Sequence, residues 1–354
     1  MTASMFVSSA DEDLQSLPLN SCPRKQYIVG PIFDLLFVCG GFTVLLSLLY
    51  FWPPLRSMLG PSADEFSASL LFAGTYLLSQ PHLGASLRRL YGEPENIAKH
   101  RHVAFALPVA MLVSLLVACR VLGPTATMDW LTSVYLILIV HHVLAQSYGI
   151  ALMYCGRSTF VMRADEKQLF KDILYLAVAV AVVAGFHLPF VFLRIAIAAL
   201  LVLVLCFFNA QLRRAALGEA TMPLPAVAVM LVSLVAVVLS QAVDNIFWIF
   251  IPAFFHASQY LAVVVAYKWK DYKLSQATSE NKLRPILAFI GAELHSYFLV
   301  GLTLSVAIPC ALFFIGMRDI DPFKLMFLLV SLHHFATDAC LWKLRQPRVQ
   351  ERLV

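Results

Sequence analysis

Long runs of apolar residues, separated by short polar segments, follow one another along almost the whole chain. A transmembrane helix needs about 20 mostly apolar residues to cross the hydrocarbon core of a bilayer, and ten runs meet or nearly meet this length. They cover approximately residues 31–53, 66–87, 103–122, 128–154, 168–187, 190–210, 223–241, 245–268, 286–312 and 323–343. The pattern predicts an all-α fold, a polytopic integral membrane helical bundle of about ten transmembrane helices.

The composition agrees with this pattern. Of 354 residues, 60% are hydrophobic and 13% are charged, whereas about a quarter of the residues in a typical soluble domain are charged. This composition excludes disordered, collagen-like and disulfide-scaffold proteins. The seven cysteines form no CxxC pair, and most lie in apolar runs, so we expect buried, reduced thiols.

The basic residues predict how the helices are oriented. If the N-terminus is cytoplasmic, most of the 26 Lys and Arg residues fall on the cytoplasmic side of the membrane, as the positive-inside rule requires. Both termini are then cytoplasmic: residues 1–30 form an N-terminal tail, 31–343 a single transmembrane domain and 344–354 a C-terminal tail. The Lys and Arg residues behind the net charge of +5 therefore orient the chain in the membrane, predicted to be a bacterial inner membrane, and do not indicate nucleic-acid binding.

Histidines lie at similar depths in several of the apolar runs. An imidazole is costly in hydrocarbon unless it is paired, so a group of them on several helices indicates a functional site. Nitrogen-rich sites suit iron, copper or zinc rather than magnesium or calcium. The predicted metal ligands are His82, His100, His102, His141, His142, His256, His295, His333, His334 and Asp338.

Polar residues one helical turn away indicate which histidines are ligands. Asp338 follows His334 by four positions and shares its helix face, and the same holds for Gln146 and His142. A ligating imidazole usually donates its second N–H to such a group, so His142 and His334 are the favoured members of their adjacent pairs. The predicted supporting residues around the ligands are Gln146, Gln259, Tyr260 and Glu293.

Simpler roles compete for some of these residues. A single histidine within the membrane is more often an interhelical hydrogen-bonding group than a metal ligand. His100 and His102 alternate with Lys99 and Arg101, and a basic rim that binds lipid head groups has the same composition. His100 and His102 are therefore interpreted either as metal ligands or as part of a rim that binds lipid head groups.

A nitrogen-rich metal site within a membrane is typical of enzymes that oxidise lipid-soluble molecules. The predicted function is a metal-dependent oxygenase that acts with dioxygen on a hydrophobic or lipid-like substrate from the bilayer. Its cofactor would be one or two non-haem iron ions, with copper or zinc as alternatives, and its partner a cytoplasmic electron donor. Two other functions stay open: a transporter or channel that uses the histidines as a proton or metal pathway, and a haem-binding electron-transfer protein.

The chain resembles, at the level of class, the histidine-rich membrane oxygenases: fatty-acid desaturases, alkane hydroxylases and bacterial carotene-cleaving dioxygenases. The segment Pro81-His82-Leu83-Gly84 is similar to a Pro-His-Gly element of the carotene-cleaving family. The resemblance implies iron, dioxygen and a hydrophobic substrate. The HxxxH and HxxHH boxes of desaturases are absent from the sequence, and desaturases have fewer spans, so the type of oxidation stays open.

Overall fold

The computed structural model describes residues 26–158, 160–186, 188–243, 246–276, 286–314, 320–344 and 346–354. Within these ranges all regular structure is helical and no strand occurs, which confirms the predicted all-α fold. Most of the predicted N-terminal tail, residues 1–25, lies outside the described residues.

The helices are numbered here in chain order. The first of them, α1, ends in a π-helical turn over Asp34–Val38. The bounds are α1 Pro31–Val38, α2 Gly41–Phe51, α3 Pro53–Leu59, α4 Ala63–Tyr91, α5 Pro94–Lys99, α6 His102–Leu122, α7 Pro124–Arg157, α8 Ala164–Gly185, α9 Phe190–Ala216, α10 Leu224–Ala242, α11 Ile246–Gln276, α12 Ile286–Phe314, α13 Pro322–Leu341 and α14 Pro347–Leu353.

Proline and acidic residues account for several helix starts. Pro124 and Pro322 begin α7 and α13, where a missing N–H costs no helical hydrogen bond. Asp321 caps α13, because its carboxylate accepts hydrogen bonds from the backbone N–H groups of Phe323 and Lys324. Such a cap contributes about 1 kcal/mol to the stability of a helix.

Seven of the described helices, α6 to α12, are long and apolar enough to cross a membrane. Helices α1 and α2 together would make an eighth span, bent by 61°, with Gly40 at the bend in a left-handed conformation at φ 84°. The other two predicted runs form α4 and α13, which are not among the seven, and residues such as His82 and Asp338 lower their hydropathy. The helices indicate a multi-pass membrane protein, while a count of ten spans and cytoplasmic termini stay predictions.

An apolar core lies between α7, α8, α9 and α10. Phe170, Ile173, Phe207 and Val229 are completely buried in it, and the rings of Phe170 and Phe207 lie 5.6 Å apart. On its other side α7 faces α11 and α13, and α4 packs against α11, α12 and α13. Helix α7 therefore separates an apolar core from the region that carries the histidines.

The C-terminal segment, predicted to be a tail, contains a packed helix. Val349 and Leu353 of α14 are buried, and the Arg157 guanidinium at the end of α7 donates a hydrogen bond of 3.0 Å to the carbonyl oxygen of Leu353. Residues 346–354 thus cover one end of the bundle beside α7 and α11.

Candidate metal centre

Four helices, α4, α7, α11 and α13, each contribute one buried histidine to a common centre. These residues are His82, His142, His256 and His334. One ring nitrogen from each lies within 4.8 Å of the other three. The four histidines could hold a metal ion.

The spacing of the nitrogen atoms fits one transition-metal ion. Imidazole nitrogens bind such ions at about 2.1 Å, so two ligands on opposite sides of an ion are at most about 4.2 Å apart. The four ring nitrogens, all within 4.8 Å of one another, lie close to this limit. The Nε2 atoms of His82 and His334 lie 2.6 Å apart, so these two rings already face one another.

Several polar atoms of the centre are buried without a hydrogen-bond partner among the described residues. They include both ring nitrogens of His256, Nε2 of His142 and Oδ2 of Asp338. A buried polar group without a partner costs about 1–3 kcal/mol, and native proteins contain few such groups. A cation bound by the imidazoles would satisfy nitrogens that face the centre, so the donor set fits a metal.

Asp338 lies beside the four histidines. Its Oδ2 atom is 3.5 Å from Nε2 of His334 and 3.8 Å from Nε2 of His142. Its Oδ1 atom accepts hydrogen bonds from the hydroxyls of Ser86, at 2.5 Å, and Tyr260, at 3.0 Å. The carboxyl group is therefore held with one oxygen towards the centre, as a further ligand or a proton acceptor.

Aromatic side chains lie next to Asp338. The Tyr260 ring is 4.1 Å from the His82 ring, and its hydroxyl accepts a hydrogen bond of 3.2 Å from Nε1 of Trp342. The guanidinium of Arg89 lies 3.9 Å from the centroid of the Trp342 ring and 4.5 Å from that of Tyr267. A buried cation thus stacks on Trp342, which supports Tyr260, and on the neighbouring ring of Tyr267.

Two amide side chains join the helices around the centre. The Nε2 group of Gln259 donates to the carbonyl oxygen of Val38 at 2.7 Å, and Nε2 of Gln146 donates to Oε1 of Gln259 at 2.9 Å and to the backbone carbonyl oxygen of His256 at 3.3 Å. The amide of Gln146, predicted to support the His142 ring, therefore binds α11 instead. Together the amides connect α1, α7 and α11.

Close contacts between α4 and α12 position His82. A Cβ atom on Gly84 would overlap the carbonyl oxygen of Tyr297, and one on Gly301 would overlap the carbonyl oxygen of Gln80. Glycine lets two membrane helices approach closely. Because His82 lies between Gln80 and Gly84 on α4, these contacts fix its depth.

Two other predicted ligands, adjacent to members of the centre, take different positions. The Nε2 atom of His333 lies 3.0 Å from the carbonyl oxygen of Val103 and 3.3 Å from the hydroxyl of Tyr91, so this ring links α13 to α4 and α6. His141 is half-buried and contributes to the wall of a cavity next to the centre. Neither belongs to the group of four histidines.

The remaining predicted residues lie away from the centre. His102 and His295 are exposed and His100 is half-buried. Burial, together with the nearby charges of Lys99 and Lys343, lowers the pKa of His100 below its ordinary value. The Oε2 atom of Glu293 lies 3.9 Å from Nη1 of Arg88. Glu293 therefore pairs with a surface cation and does not support an imidazole of the centre.

Sequence reasoning did not identify Ser86 and Trp342. Ser86 follows His82 by four positions, and Trp342 follows Asp338 by four, which is the spacing that pointed to Asp338 and Gln146. Applying the same rule to every candidate ligand identifies both residues.

An apolar cavity of about 500 Å³ adjoins the centre. Its wall is formed by α7, α8, α11, α13 and C-terminal residues, and it includes His142, Tyr260 and Asp338. The centre and the cavity therefore share one histidine and the carboxylate.

In comparisons with known proteins, no family model, curated protein or solved structure matches the chain.

Proposed function

We propose that this protein is a membrane-embedded, metal-dependent oxygenase whose four histidines hold one non-haem iron ion. A hydrophobic molecule from the bilayer would reach the ion through the apolar cavity. One observation carries this proposal: His142 of the histidine centre and Asp338 beside it both belong to the wall of the cavity. A purely structural metal site has no need of such an opening.

The need for open coordination positions favours iron over zinc. Four histidines around zinc would fill its four tetrahedral positions and close the site. An ion that prefers six ligands would keep positions for dioxygen and a substrate. Iron, when bound, would supply the activation of dioxygen. The part of the chain that the structure describes contains one such group of four ring nitrogens, which supports one ion rather than two.

The side chains around the ion would control protons and water. Asp338 has one oxygen towards the centre and would accept or hold a proton there, while Ser86 and Tyr260 keep its carboxyl group oriented. The cavity wall is mostly apolar, so it would admit a hydrocarbon and exclude bulk water from the reaction.

The geometry disfavours the two alternatives. A haem plane between two axial histidines would collide with the other rings, because nitrogens from all four residues lie within 4.8 Å of one another. A transport pathway for protons or metal ions would require polar groups along its length, whereas the described cavity is mainly lined by apolar residues.

Insertion of one oxygen atom of dioxygen, with reduction of the other to water, consumes two electrons, so we also propose a soluble electron donor as partner. It would bind at the end of the bundle where α7 and α13 finish, the predicted cytoplasmic side. A bacterial inner membrane would give such a donor direct access.

The test uses the full chain in nanodiscs of its native lipids. Reconstituted with iron and reduced chemically, it should incorporate label from isotopically labelled dioxygen into a lipid product detected by mass spectrometry. His256→Ala should form no labelled product, whereas His295→Ala, an exposed histidine, should behave like the wild type. Wild-type protein that holds iron and yields no labelled lipid would overturn the oxygenase proposal. Metal uptake into proteoliposomes would instead support the transporter.

A further inference from the structure

The cavity beside the histidine centre extends along α7. Residues from Leu138 to Met153 of α7 line it, which corresponds to about 22 Å at the helical rise per residue. A cavity of about 500 Å³ with this reach along the helix has room for an extended hydrocarbon chain.

Gly149 keeps this cavity open. It lies inside α7, where glycine costs about 0.5–1 kcal/mol relative to alanine, and it lines the cavity. A Cβ atom added to Gly149 would meet no atom within 4 Å, in contrast to Gly84 and Gly301, where it would overlap a backbone oxygen. Helix packing therefore does not account for Gly149, and free space in the cavity does.

The polar groups of the cavity wall are grouped at two places. Near the centre lie the unpartnered atoms His142 Nε2 and Asp338 Oδ2. Further along lie Tyr148, whose buried hydroxyl has no partner among the described residues, and the cationic side chains Lys171 and Lys343. Apart from Gln146, which lies between the two places, most of the remaining wall is apolar, and this arrangement suits an amphipathic ligand.

The two lysines lie on the same side of the histidine centre. Tyr148 is six residues beyond His142, about 9 Å along α7, and its ring is 5.1 Å from that of Phe170, the neighbour of Lys171. Lys343 follows the end of α13, and the hydrogen bond from Arg157 to Leu353 shows that α7 and the C-terminal segment finish on the same side. Both cations are thus displaced from the centre in the same direction.

We propose that the cavity binds a single-chain lipid with an anionic head group. The head group would lie at Lys171 and Lys343, beside Gly149, and the chain would run from there towards Leu138 and bring an interior carbon beside the histidine centre. This inference rests on the proposed oxygenase function and specifies its substrate class. A carboxylate or a phosphate head group would satisfy the same cations.

Binding can be measured without metal or catalysis. Metal-free protein in detergent would be titrated with a fluorescent polyene fatty acid, which would then be displaced by lipids of equal chain length that differ in the head group. Alkyl carboxylate or alkyl phosphate should compete at least about tenfold better than the alkane, the alcohol or the alkyl trimethylammonium. The better of the two anions identifies the head group.

A matched pair of variants tests the location. Gly149→Leu should weaken fatty-acid binding at least tenfold, because its side chain would fill the cavity, and it should keep the metal content of the wild type. Gly291→Leu is the control, since a Cβ at this exposed position of α12 also meets no atom within 4 Å.

A second pair of variants tests the head group. Lys343→Gln should weaken binding of the anionic lipid several-fold and should change binding of the alcohol little. Lys99→Gln, at a residue outside the cavity wall, should change neither.

The outcomes separate this inference from the proposed function. If Gly149→Leu binds the fatty acid as the wild type does, or if the cationic lipid competes as well as the anionic ones, the substrate class is wrong even when labelled oxygen enters another lipid. If an anionic lipid binds as described and no labelled product forms, the lipid site stands and the oxygenase function is wrong.

Discussion

Helix α7 lies between two regions of opposite character. One is the apolar core that it forms with α8, α9 and α10, where Phe170, Phe207 and Val229 are completely buried. The other is the histidine centre that it forms with α4, α11 and α13, where imidazole nitrogens and a carboxylate oxygen are buried without partners among the described residues. The two regions share a helix and are both buried, yet only the centre brings several such nitrogens together beside a carboxylate.

The difference shows what holds each region together. Apolar helices in a bilayer associate mainly through close packing, because lipid chains are as apolar as leucine, so the apolar core is complete with its own side chains. Buried imidazoles without partners are unfavourable, and a bound cation would remove this cost. We therefore expect metal binding to stabilise the centre and to leave the apolar core unchanged.

The largest expected effect is a difference in metal affinity between substitutions of two adjacent histidines on α13. His334→Ala removes a member of the centre and should lower metal affinity at least about 100-fold, since even the loss of a residue that supports a ligand costs about 10–100-fold. His333→Ala removes a ring that contacts Val103 and Tyr91 and should keep the metal. Bound metal per protein, measured by elemental analysis, distinguishes them. Equal losses in both variants would contradict the centre.

The second prediction concerns a substitution that disrupts the apolar core alone. Phe170→Ala leaves a cavity among completely buried side chains and should lower the free energy of unfolding by about 3 kcal/mol. Metal bound per folded protein should stay at the wild-type level. Phe105→Ala, at a ring that is 57% exposed, is the control for unfolding in detergent. Loss of metal from folded Phe170→Ala would show that the two regions are not independent.

A smaller effect is expected where α4 and α12 touch. The added methyl group of Gly301→Ala would overlap the carbonyl oxygen of Gln80, so α4 must shift and carry His82 away from the other rings. Metal affinity should fall about tenfold, as for a displaced supporting residue. The matched control is Gly291→Ala on the same helix, where the methyl group meets no atom within 4 Å. Similar affinities in the two variants would refute the positioning role of this contact.

The smallest effect concerns the amide pair. Gln146→Leu removes the donor to Gln259 and should lower the free energy of unfolding by about 1 kcal/mol, with little change in metal affinity. Gln168→Leu removes an amide that bonds to Asp172 on the exposed surface and should have a smaller effect. A large loss of metal in Gln146→Leu would mean that the amide acts directly on the centre.

Local sequence patterns predict the helices well. The run at 128–154 corresponds to α7, Pro124–Arg157, and the run at 190–210 to α9, Phe190–Ala216. Apolar length and helix-starting prolines depend on neighbouring residues, so they are visible along the chain. The bend at Gly40, by contrast, depends on residues that are distant in sequence. A Cβ atom on Gly40 would collide with Val232 and Phe255.

The sequence predicted the depth of the candidate site along the helices, but only some of the residues that form it. His142 and His334, each followed by a polar residue four positions on, lie in the group of four, whereas their neighbours His141 and His333 do not. Adjacent residues on a helix point about 100° apart, so only one of each pair can face a given centre. A histidine without an adjacent histidine offers no such comparison. The sequence alone therefore did not distinguish His295, which is exposed, from His256, which belongs to the centre.

By itself, the sequence determined that the chain forms apolar helices and at which depth along each helix an imidazole lies. The tertiary structure decided which rings meet, that Asp338 stands beside them and that free space, not another helix, lies next to Gly149. The physical reason is that residue spacing defines position along a helix axis, whereas the rotation of the helix about that axis depends on packing against chain segments far away in sequence.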